Sequence, residues 1–186
     1  VTVKSVSTLP IAAGTYVIDP NHSGIYFQIR HLGISNVRGM FKMFEAILVV
    51  GDVLDDVRVT ATIDLSSVDT NQHDRDAHLL GSDFFHAETH PQMTFRSTAV
   101  RRISDDEYEM DGDLEMNGIT KSVTLEVEFN GAELNPADQH THVGFSATGE
   151  VRRSEYGIDF NLPLGMGKRA ISDKVKIEID AQFVAP

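Results

Sequence analysis

Apolar and polar residues alternate with a period of two along most of this chain, the mark of strands that bury one face. In the run KVKIEIDAQF at 174–183, Val175, Ile177, Ile179 and Ala181 share one face, and Lys174, Lys176, Glu178 and Asp180 share the other. The same spacing groups Ile25, Phe27, Ile29 and His31 in 23–31, and Val57, Val59, Ala61 and Ile63 in 57–64. It groups Val123, Leu125, Val127 and Phe129 in 122–129, and Val143, Phe145, Ala147, Gly149 and Val151 in 142–152. Further strands are predicted over 15–19, 38–50, 92–101 and 107–116, with turn signals at 51–52, 104–107, 116–120 and 130–138. Eight or nine strands, each with one apolar face, must curl until that face is enclosed, as a sandwich or a closed barrel. Short sequential hairpins favour an antiparallel up-and-down barrel.

One segment breaks the pattern. HDRDAHLLGSDFFHAETHP, His73 to Pro91, holds four of the eight histidines. It predicts a short helical segment within 71–90: Asn71 as N-cap, Asp74 and Asp76 in the first turn, a helix over about 72–80, Gly81 as the stop, and Leu79 and Leu80 turned to the barrel. A further short turn follows and ends at Pro91.

Strand parity turns Phe27, Ile29, Phe41, Met93, Phe95, Met110, Leu114, Met116, Leu125 and Phe145 inward, interleaved with the small residues Ala61, Gly112, Ala147 and Gly149. Small inward residues leave room for a ligand channel, and methionines adapt to a flexible chain. Interdigitating aromatics would instead fill the barrel completely. Parity alone leaves both readings standing.

Charge and composition exclude more than they assign. A formal net charge of −12 repels nucleic-acid phosphates, so no nucleic-acid partner is expected. The absence of cysteine removes disulfides and thiol chemistry. No apolar run approaches the ~20 residues of a membrane span, and no stable membrane insertion is expected. The opening VTVKSVSTLPIAAG lacks the apolar core of a signal peptide, so a cytoplasmic location is the expectation, with an exported one following if a leader preceded Val1.

The polar constellations point away from catalysis. His73 and His78 are five apart, His86 and His90 are followed by Pro91, and HAETH lacks a glutamate directly after its first histidine, so neither a metal site nor a cofactor is expected. His140 and His142 are two histidines alone, for which a structural role is expected. Asp74 and His78 share a helical face and read as an i,i+4 hydrogen bond. His31 faces inward at a strand end, where it is satisfied by a neighbour or meets a ligand. Arg153 and Glu155 read as a structural ion pair. The Gly-rich run 162–174 reads as a solvated loop or as a flap over one barrel end, with Lys168 and Arg169 as candidates for an anionic headgroup. No catalytic residue is assigned.

Five motifs in order carry a resemblance: YVIDPNHSGIYFQIRHLGISNVRGMF at 16–41, SSVDTNQHDRDAHLLGSDFFHAETHPQMTFRST at 66–98, GDLEMNGITKSVTLEVEFNG at 112–131, VGFSATGEVRRSEYG at 143–157 and ISDKVKIEIDAQ at 171–182. On these the chain resembles the YceI-like family of bacterial, lipocalin-like polyisoprenoid-binding proteins. The resemblance implies a mainly β fold, an elongated eight-stranded antiparallel barrel over 15–186 behind an N-terminal extension of 1–14. It implies a hydrophobic bore for a prenyl pyrophosphate, an isoprenoid quinone or another long-chain lipid, held for transport, storage or sequestration, in a chain that pairs as a homodimer. The expected ligand-binding residues are Phe27, Ile29, His31, Phe41, Ala61, His78, Leu79, Phe84, Phe85, Met93, Phe95, Leu114, Met116, Leu125, Phe145 and Ala147. Two rival readings stand beside this one: a lipid- or quinone-modifying enzyme using Asp74, His78 and His31, and a stress-related interaction protein whose lipid is structural.

Overall fold

The computed structural model describes residues 9–186; residues 1–8 of the expected extension lie outside the described residues. The strands are β1 (Gly14–Ile18), β2 (Gly24–His31), β3 (Ser35–Phe41), β4 (Phe44–Val50), β5 (Arg58–Asp64), β6 (Val68–Asp69), β7 (Gln92–Arg102), β8 (Glu107–Met116), β9 (Ile119–Asn135), β10 (His140–Arg152), β11 (Pro163–Gly165), β12 (Lys168–Arg169) and β13 (Ile171–Val184). Among the described residues one α-helix, α1, spans His73–Leu80.

Among the described residues the wall is an eight-stranded closed antiparallel barrel. β1 with β2, β3 with β4, and β5 with β6 act as three long strands, each interrupted once. The first interruption is bridged by the Asp19 amide donating to the Gln182 carbonyl at 2.7 Å. The second is bridged by the Asp64 amide donating to the Met43 carbonyl at 3.0 Å. Neighbours then follow chain order, and β13 closes the ring, pairing with β2 along its first part (Ile177 opposite Phe27) and with β1 at its end (Val17 opposite Val184). This meander brings distant segments together only at its seam, between the first and last strands.

Two predicted details are corrected. Residues 130–135 are strand, not turn: β9 runs on to Asn135 because Glu133 and Ala132 pair with His142 and Val143. The register shift between Gly144 and Phe145 absorbs the extra residue beside Gly131, whose φ of 128° few other residues adopt. The helix is capped by Gln72, whose side chain accepts from the Arg75 amide at 2.6 Å. Asn71 sits in the left-handed region (φ 63°) as part of the preceding turn. Gly81 ends the helix by donating to the His78 carbonyl at 3.1 Å, with φ −76° rather than a left-handed conformation.

Two apolar clusters make up the interior of the barrel. One gathers Phe41, Ile63, Leu65, Met93, Leu114, Met116 and Tyr156 beneath α1, against which Leu79, Leu80, Phe84 and Phe85 pack. The other gathers Tyr16, Leu48, Val50, Val143 and Phe183 at the opposite end, where Leu9 and Ile11 of the extension pack.

Candidate functional site

A cavity of about 610 Å³ runs through the barrel, lined by residues of both clusters, and its wall is almost wholly apolar. The strand alternation builds that wall directly: Phe27, Ile29, Phe41, Ala61, Met93, Phe95, Leu114, Met116, Leu125, Phe145 and Ala147 all line it. Leu9, Pro10, Ile11, Leu54 and Val57 line it as well, from the end where the extension packs. The volume answers the question that parity leaves open: the aromatics do not fill the barrel.

The small residues divide into two kinds. Ala61 and Ala147 line the cavity. The glycines expected to leave room do not, because neighbours already occupy the space over them. A Cβ on Gly112 would lie 2.2 Å from Phe95 Cζ, and one on Gly149 would lie 2.6 Å from a Leu125 methyl. Gly39 is covered in the same way, 2.2 Å from Phe27 Cζ. Glycine here lets a large side chain lie flat on the opposite or diagonal strand, which keeps the ring against the wall.

The mouth is built by α1, the segment after it, the end of β2 and the loop before β11. His78, Leu79, Phe84 and Phe85 line the cavity here, as does His31 at the exposed end of β2. Phe84, His78 and the unforeseen Phe160 form an aromatic triad, with His78 edge-on to both phenylalanines at 5.0 Å and those two rings 5.3 Å apart. His78 Nε2 meets Asp83 Oδ2 at 2.9 Å, so the expected Asp74–His78 pair gives way to one outside the helix. Asp76 instead accepts from the amide and hydroxyl of Thr70, fastening α1 to β6. Arg75 braces the same turn, donating from Nε to Thr70 Oγ1 (2.7 Å) and from Nη2 to the Thr70 carbonyl (2.6 Å).

Arg153 is 6% exposed and is not paired with Glu155, contrary to expectation. Its guanidinium donates to four carbonyls: Ser172 (2.9 Å), Ile158 (3.0 Å), Phe160 (2.8 Å) and Ile171 (3.2 Å). Burial lowers its pKa, against which Asp173 and Asp159 act. This arginine clamps both ends of the 158–171 loop to the barrel. The loop itself carries the β11–β12 ribbon, and Lys168 and Arg169 are exposed there, outside the cavity lining. Arg30, Arg75 and Arg153 are the cations that line it.

Three further histidines make contacts within the fold. His142 is buried, with Nε2 2.7 Å from Asp138 Oδ2 and Nδ1 accepting from the Gln182 amide at 2.7 Å. His86 and His90 stack edge to face with ring centres 6.0 Å apart. Among the described residues no three side chains of metal-ligating type cluster. Sequence reasoning missed Arg30, Arg75 and Phe160. Arg30 has outward strand parity, Arg75 reads as an ordinary helix-surface residue, and Phe160 lies in a loop without periodicity.

Comparison with known proteins agrees with this architecture. The family profile described as YceI-like domain matches residues 16–183. A UPF0312 protein of Staphylococcus epidermidis is 41% identical over 167 residues, covering 89% of this chain and 94% of its own. The crystal structure of Burkholderia cenocepacia BcnA superposes with a TM-score of 0.76 at 22% identity, over 91% of this chain and 99% of its own. A polyisoprenoid binding domain from Saccharophagus degradans, implicated in plant cell wall breakdown, superposes with a TM-score of 0.68 at 14% identity, over 92% and 98%.

Proposed function

The chain belongs to the YceI-like family, and on that premise we propose that it carries a long-chain isoprenoid lipid in its barrel, without chemistry on the ligand. The observation that carries this reading is the apolar cavity of about 610 Å³, whose lining at the α1 end includes the exposed Arg30, His31 and Leu162. At ~30 Å³ per carbon-sized atom, that volume takes roughly twenty carbons, or about four isoprene units. Burying twenty carbons at ~0.8 kcal/mol each gives roughly 16 kcal/mol gross. Lost motion and chain ordering take back about half, leaving a dissociation constant on the order of micromolar. Longer tails extend out through the mouth, and the polar head sits at the lip beside Arg30, His31 and Arg75. A homodimer would cover the outer face, where Val17, Ile47 and Val49 are exposed on β1 and β4.

Native mass spectrometry with organic extraction, on protein made in its own host, tests the reading. The expected result is a co-purified isoprenoid, and a melting temperature raised by added geranylgeraniol. Ala147→Phe places a ring in the cavity and should abolish that rise while the barrel stays folded. If no lipid co-purifies and no long-chain isoprenoid stabilises the protein, the carrier reading fails.

A further inference from the structure

Two turns project from the barrel at its mouth, and both are apolar and basic in an otherwise acidic chain. In the β2–β3 turn, Leu32 and Ile34 are exposed, Ile34 to 80%. In the β11–β12 ribbon, Leu162, Leu164 and Met166 are exposed, Met166 completely. The Leu32 amide donates to the Ala170 carbonyl at 2.7 Å, so the two turns form one continuous lip. Residues 28–38 and 160–170 contain Arg30, Arg38, Lys168 and Arg169 and not one carboxylate, whereas the whole chain has 28 acidic residues against 16 basic.

From this juxtaposition we infer that the lip docks reversibly on an anionic lipid membrane, with Leu164 and Met166 entering the interface and Lys168 and Arg169 meeting the headgroups. The chemistry is complementary on both counts. Apolar side chains at a turn tip bury into the headgroup–acyl boundary, and neighbouring cations are drawn to a negative surface. The −12 net charge does not forbid this, because charges beyond a Debye length of ~8 Å are screened at physiological ionic strength. Asp74, Asp83 and Glu88 lie in α1 and the segment after it, and Asp159 precedes the 160–170 segment, so the barrel meets the surface with the tips of its two hairpins. A second copy of this chain is the poorer occupant: a twofold contact through this lip would set the four cations against their own copies. Docking sets the cavity mouth against the membrane. That purpose rests on the lipid-carrier reading, but docking itself does not.

The test is sedimentation of purified, delipidated protein with vesicles of phosphatidylcholine alone or with 30% phosphatidylglycerol. Binding should favour the anionic vesicles in spite of the protein's net negative charge, and should fall at high salt. Each interfacial cation contributes about fivefold in partition, so Lys168→Gln/Arg169→Gln should lose about 25-fold. Leu164→Ser/Met166→Ser should abolish binding. The chain has no cysteine, so Met166→Cys accepts a single environment-sensitive dye, whose emission should shift to the blue on anionic vesicles. Ala147→Phe should bind vesicles like the parent even where it no longer takes up isoprenoid, which separates failure of docking from failure of the cavity reading. Absence of vesicle binding, binding indifferent to these substitutions, or a dimer that Leu164→Ser/Met166→Ser converts to monomer without any vesicle binding would each overturn the inference.

Discussion

Replacing Arg153 by Met keeps most of the side-chain volume and removes the charge that holds the 158–171 loop. Four hydrogen bonds to a charged donor are lost, from the carbonyls of Ile158, Phe160, Ile171 and Ser172. At ~1.5–3 kcal/mol each their gross contribution is roughly 6–12 kcal/mol. Desolvating the guanidinium costs several kcal/mol, and water reaches some of the freed carbonyls, so a net loss of about 3 kcal/mol is expected. With a urea m-value of about 2 kcal/mol/M, the unfolding midpoint should fall by about 1.5 M. Hydrogen exchange adds the location. The Leu32 and Ala170 amides, which donate to the carbonyls of Ala170 and Leu162, should lose protection before the barrel ladders do. Arg152→Met is the control: Arg152 lies 3.8 Å from Asp173 with its side chain 54% exposed, and its loss should cost no more than about 0.5 kcal/mol. If Arg153→Met unfolds within about 0.5 kcal/mol of the parent, the clamp contributes nothing net and the argument from four carbonyls is wrong.

Two further substitutions test the interior. Tyr156 is 1% exposed, its hydroxyl has no hydrogen-bond partner among the described residues, and burial pushes its pKa up to about 12. Tyr156→Phe should therefore be neutral or stabilising, by up to about 1 kcal/mol at pH 7. The phenol stays neutral in the folded state while the unfolded chain ionises near pH ~10, so its contribution is intact below that pH and is lost as pH rises toward 12. Thermal melts of the Phe variant should lose that part of the alkaline slope, and an unchanged slope would assign it elsewhere. Gly112→Ala drives a methyl into the Phe95 ring, with the Arg96 carbonyl 2.8 Å away, and should cost roughly 1–3 kcal/mol, whereas the same change in a Phe95→Leu background should keep only the part of that cost due to the carbonyl. Equal costs in the two backgrounds, read from chemical denaturation, would mean that the ring over Gly112 is not what requires glycine.

Most of the cavity wall was legible because strand alternation is a local property. Once Phe27 and Ile29 share a face, both turn inward in whatever barrel forms, and the same holds for Leu114 with Met116 and for Phe145 with Ala147. The helix was legible too, though its cap moved by one residue to Gln72, since turn geometry at Asn71 depends on the bonds of Asp69 and Asp76. Alternation could not tell a filled interior from a hollow one. That depends on whether each ring lies along the wall or points to the axis, which glycines on the opposite or diagonal strand decide. Nor could it find the partners of Arg153, carbonyls up to 19 residues away that only the folded loop gathers. The sequence alone therefore determined the barrel and its inward residues, through the two-residue repeat of a strand. Closure of the barrel decided the cavity, because it encloses the inward faces of all the strands, and it decided the basic, apolar lip, because that lip joins segments that meet only across the seam where the first strands pair with the last.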